Sequence, residues 1–87
     1  MVDKHLFKKA IGKQIRLIRL EHNKTLEQLG ESSNLDPNNL GKIERGEKIP
    51  STQTLFKLYS SMNISIDRLF KAVKRELEMN NQEDSSR

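Results

Sequence analysis

The stretch from Pro37 to Arg45 carries side chains suited to recognition rather than to bond making. Placed on a helix at about 100° per residue, with Leu40 as origin, Ile43 and Glu44 fall beside Leu40. Asn38, Lys42 and Arg45 lie nearly opposite, with Gly41 and Asn39 on the flanks, so the outer face reads Asn38, Gly41, Lys42 and Arg45. An asparagine amide can bond N6 and N7 of adenine together, and a lysine can donate to O6 and N7 of guanine. These are the needs of a DNA major groove. Arg45 ends the helix and is expected to meet phosphate, as is Asn39. Pro37 has no donor, which leaves contact with a thymine methyl or rigidity at the helix start. Gly41 costs up to roughly 1 kcal/mol relative to alanine in a helix interior. Either a base or sugar approaches it closely, or the position is free to vary.

Other chemistries find no support in the sequence. The chain has no cysteine, and His5 and His22 are isolated, so no disulfide, thiolate or metal site is expected. No nucleophile paired with a base and no phosphate-binding glycine loop can be drawn, so neither an enzyme nor a cofactor is expected.

The elements that must position these residues are helical. With 87 residues, 33% hydrophobic, 32% charged, 5% aromatic and no Trp, the chain suits one small all-α domain with a core of Leu, Ile and a few Phe. The first segment, Lys4 to His22, has Phe7, Ile11, Ile15 and Ile18 at helical spacing. Asn23 can close it in a left-handed conformation, and Thr25 with Gln28 three positions later has capping-box spacing for a second helix, Leu26 to Ser33. Asn34 suits a tight turn, Asp36-Pro37 opens a third helix, and Gly46 ends it. Ser51 caps a fourth helix with Leu55, Leu58 and Met62 on one face and Asn63 at its end. Ser65 caps a fifth carrying Ile66, Leu69, Phe70, Val73 and Leu77. From Asn80 to Arg87 the chain is polar and is expected to fray. The domain is therefore placed at residues 4–72, with 73–87 an extension and tail.

Charge is uneven. The net charge is +4, yet Lys4, Lys8, Lys9, Lys13, Arg16, Arg19 and Lys24 face only Asp3 and Glu21 near the start, while from Glu76 to the end Glu76, Glu78, Glu83 and Asp84 face only Arg87. The basic half is where a polyanion binds. Lys13, Lys48, the N–H groups from Gly46 to Lys48 and those at the start of the second helix are candidate phosphate contacts. The bases within Leu6 to Leu20 exclude a signal peptide or a membrane span, which makes a cytoplasmic protein the expectation.

Three segments, IGKQIRLIR, TLEQLGESSNLDPNNLGKIERGEKIPS and LFKLYSSMNISIDRLF, resemble the lambda-repressor-like, Cro and Xre type helix-turn-helix family. The resemblance implies a five-helix bundle whose third helix enters the major groove, with two copies on a palindromic double-stranded site. It implies base-reading roles for Pro37, Asn38, Gly41 and Lys42, and a structural pair between Arg19 and the inward-turned Glu44. Three positions depart from the pattern. Leu26 replaces the usual glutamine, so that phosphate contact is expected to be lost or moved; Asp36 replaces a Ser or Thr cap; and Lys24 replaces an apolar residue.

A half-site of about six base pairs is too short for selectivity in a genome, so a homodimer is expected. Phe70, Val73 and Leu77 form an apolar stripe that continues past the expected domain and is assigned to the dimer contact; the alternative is that it folds back on the first helix. The leading function is a transcriptional regulator, repressor-like in action. A second is an antitoxin-type regulator whose segment Lys71 to Arg87 binds a protein partner, and a third is an RNA- or protein-binding helical domain without an operator.

Overall fold

Short polar side chains start each element. The computed structural model describes residues 3–85, with side chains to residue 79, as α1 Lys4–Glu21, α2 Leu26–Ser33, α3 Pro37–Glu44, α4 Thr52–Met62 and α5 Ile66–Ser85. Asp3 accepts from the N–H groups of His5 and Leu6. Thr25 and Gln28 form both bonds of the capping box. Asp36 accepts from Asn38 N–H at 3.1 Å, Ser51 from Thr54 N–H at 3.0 Å and Ser65 from Arg68 N–H at 3.1 Å. Each such cap stabilises its helix by about 1 kcal/mol. Asn23, Asn34 and Asn63 take left-handed φ of 55°, 56° and 54° where α1, α2 and α4 end, and Gly46 turns the chain after α3 at φ 77°.

The core draws on every helix: Ala10, Ile11 and Ile15 from α1, Leu29 from α2, Leu40 and Ile43 from α3, Leu58 and Met62 from α4, and Leu69 and Val73 from α5. α1 is central, packing on α3 and on α5, while α2 packs on α3 and α4. The Ser33 and Ser61 hydroxyls meet at 2.6 Å and join α2 to α4. No strand occurs among the described residues.

Two expectations for the C-terminal part are corrected. Val73 is only 3% exposed and belongs to the core, and Leu77 is half-buried against it, because α5 returns along α1 and lays this stripe on the same chain. A domain boundary at residue 72 would therefore cut a packed helix. α5 also continues to Ser85, so the backbone of residues 80–85 is helical where fraying was expected, while residues 86 and 87 of that expected tail lie outside the described residues.

Candidate nucleic-acid interface

α3 is seated by contacts on its inner side. Leu40 and Ile43 are fully buried. Gly12 of α1 lies beneath the Ile43 carbonyl, so close that a Cβ there would overlap it and would stand 3.1 Å from the Glu44 carbonyl oxygen. Gly30 of α2 plays the same part at the other end, where a Cβ would come 2.6 Å from the Leu35 carbonyl oxygen and 3.0 Å from the Pro37 ring. Pro37 is half-buried and braces the start of α3 against α2. These approaches leave no room for any side chain larger than hydrogen.

Arg19 adds a directional tether. Its Nε donates to Glu44 Oε2 at 2.8 Å, its Nη2 to Glu44 Oε1 at 2.9 Å, and its Nη1 to the Lys24 carbonyl at 2.8 Å. The two side chains are 11% and 5% exposed. The hydrogen bond to Glu44 raises the Arg19 pKa above its ordinary value, against the opposing effect of burial. Because a guanidinium is planar, this fork sets the angle of α3 on α1 as well as its distance. Lys24, which replaces an apolar residue, contributes its main-chain carbonyl.

The opposite side of α3 exposes Asn38, Lys42 and Arg45. Asn39 is half-buried and accepts from Lys48 Nζ at 2.8 Å, which brings Lys48 onto the same surface. Arg45 Nε donates to Glu47 Oε2 at 2.7 Å. That bond raises the Arg45 pKa and lowers that of Glu47.

Several sequence expectations change here. Gly41 is buried rather than open on the outer face, covered by the guanidinium of Arg45 and by Leu26, whose Cδ1 would be 3.7 Å from a Cβ at that position. Leu26 thus packs across α3 where a glutamine would reach outward. The N–H groups of Gly46 and Glu47 are already bonded to the carbonyls of Ile43 and Lys42, because the turn after α3 closes on itself. They are not free for phosphate. Lys13 points to α5, with its ammonium 3.7 Å from Glu76. Lys9 was not singled out from the sequence, yet it lies against Gly46, its Cγ 3.0 Å from where a Cβ would stand. The signal was available only as one more base in the first helix.

A helix-turn-helix family model matches residues 15–69, which spans α2, the turn and α3 and reaches into α5. The chain belongs to the lambda-repressor-like helix-turn-helix family. Over 60 residues it is 35% identical to the HTH-type transcriptional regulator ImmR of Bacillus subtilis (strain 168), covering 69% of this chain and 47% of ImmR. The chain therefore spans about half the length of that relative. Among solved structures it is similar to the clp gene regulator ClgR from Corynebacterium glutamicum, with a TM-score of 0.80, 26% identity and coverage of 92% and 86%. It is also similar to the restriction-modification controller protein C.Esp1396I, with a TM-score of 0.71, 27% identity and coverage of 80% and 93%. These relatives are regulators rather than enzymes. No described helix is long and apolar enough to cross a membrane.

Proposed function

We propose that this chain is a sequence-specific double-stranded DNA-binding transcriptional regulator, repressor-like in action and cytoplasmic, with α3 as its major-groove helix. One observation carries the reading: the buried Arg19–Glu44 fork and the two glycine approaches hold α3 rigidly by one side, while Asn38 and Lys42 stand exposed on the other. A firmly seated helix that presents hydrogen-bonding side chains on its free face is what base discrimination requires. The names of ImmR, ClgR and C.Esp1396I agree in kind.

Base contact makes a sharp expectation for two substitutions. Asn38→Ala and Lys42→Ala should each relax preference at one half-site position and weaken cognate binding by about 1–3 kcal/mol, leaving random duplex little affected. Binding competition against operators varied one base at a time measures this. Equal loss on every sequence makes the residue a phosphate contact instead.

The operator is palindromic in this reading and the regulator a homodimer. Support comes from an apolar groove between α1 and α5, walled by Phe7, Phe70 and Leu77 over Val73 and rimmed by Lys4 and Lys74. Phe70 is 46% exposed on the wall of this groove, so that it adds to a continuous apolar patch with Phe7 and Leu77. Sedimentation should give a concentration-dependent dimer, and Phe70→Asp should shift it to monomer with loss of tight operator binding. A mass that stays monomeric at every concentration rejects this surface. A second reading, a protein partner held by the C-terminal segment, draws on Met79, 56% exposed beyond the groove; co-purification of a stoichiometric partner is its test.

A further inference from the structure

We propose that Arg45 is a base-reading residue, standing in the space that Gly41 leaves open and held there by Glu47; this rests on the reading of α3 as the major-groove helix. A cation at the end of a recognition helix ordinarily reaches past it towards phosphate. Here the guanidinium folds back by one turn, and a Cβ on Gly41 would come 3.0 Å from Arg45 Nη1 and 3.9 Å from Cζ. The fork thus lies on the flank bordered by Asn38 and Lys42, not beyond the helix end.

Gly41 differs from the other helical glycines in a way that fits this account. At Gly12 and Gly30 an added Cβ would strike main-chain carbonyl oxygens, so packing demands glycine there. At Gly41 the atoms in the way are the ends of two side chains, Arg45 and Leu26. Packing alone would accept alanine and gain helix propensity. What the missing Cβ provides is a seat for the guanidinium.

Glu47 orients the seated group. Its Oε2 takes Nε at 2.7 Å and leaves Nη1 and Nη2, a pair of donors whose spacing matches O6 and N7 of guanine. A carboxylate beside a phosphate ligand would be a liability, because it cancels the attraction and repels the strand. Beside a base reader it is useful, since it orders a long side chain before binding and adds direction.

The test uses the full chain and its Arg45→Ala, Gly41→Ala and Glu47→Ala variants. Duplexes are first selected from a random pool by the unaltered chain, then each half-site position is varied and binding measured. Arg45→Ala should erase a guanine preference at one position, a loss on the order of 10- to 100-fold on that base. Gly41→Ala should lose the same preference while its thermal midpoint stays level or rises, and the two changes together should lose no more than either alone. Glu47→Ala should weaken discrimination at that position yet bind random duplex more tightly, which a structural role would not produce. If Arg45→Ala instead weakens all duplexes alike and lowers the salt slope by about 1, Arg45 is a phosphate contact and the proposal fails while the regulator reading stands. If the unaltered chain selects no sequence, both fail.

Discussion

Arg19→Met is expected to destabilise the fold by about 3 kcal/mol, at the lower end of the roughly 3–5 kcal/mol seen when one partner of a buried ion pair is removed. The lower end applies because Arg19 keeps 11% of its side-chain surface in water. Glu44, 5% exposed, would lose the donor of both its side-chain hydrogen bonds and be left as a buried carboxylate without them. In a domain of this size each kcal/mol corresponds to about 4–8 °C in the thermal midpoint, so a fall of more than about 12 °C should be seen by circular dichroism. The double variant Arg19→Met with Glu44→Met separates stability from positioning. An apolar pair is often as stable as the ion pair it replaces, so most of the lost stability should return. DNA affinity should not, because two flexible thioethers cannot fix the angle of α3 as a planar fork does. Recovery of both properties would show that the pair only fills space.

Gly12→Ala is the second large effect. In an isolated helix the change would be favourable by about 1 kcal/mol. Here the new methyl meets the carbonyl oxygen of Ile43, with the Glu44 carbonyl oxygen at 3.1 Å and its carbon at 3.2 Å. Those atoms are the backbone of α3 and cannot swing aside. Overpacking costs typically about 1–3 kcal/mol and sometimes more, and a rigid backbone neighbour belongs at the upper end. A net loss of about 3 kcal/mol is expected in urea unfolding. DNA binding should weaken on every sequence alike, since α3 must shift with all its readers. Stability at or above that of the unaltered chain would mean that α1 and α3 are less tightly apposed than the structure has them.

What the sequence made legible is mostly local chemistry. Thr25 with Gln28, Asp36 before Pro37, Ser51 and Ser65 start their helices by bonds to N–H groups two or three residues away, and such bonds can be read along the chain. The left-handed asparagines are equally local. The Arg19–Glu44 fork spans 25 residues of sequence and came within reach only through the family resemblance. Val73 was misassigned for a related reason: a helical period states that Val73 needs cover, not whether α1 of the same chain or another chain supplies it. Gly41 was misplaced because a helical wheel locates Cα positions and takes no account of a long side chain folding back over a neighbour. Gly12 escaped notice although a glycine inside an amphipathic helix is itself a sign of close backbone approach.

The exposed side of α3 has a consequence for how such a protein changes over time. Asn38 and Lys42 lend nothing to the core, and Arg45 bonds only to an exposed glutamate. A library randomised at these three positions should therefore yield folded proteins almost throughout, with new operators among them. A lineage can be retargeted here without first acquiring compensating mutations, as long as Gly12, Gly30, Arg19 and Glu44 are left alone.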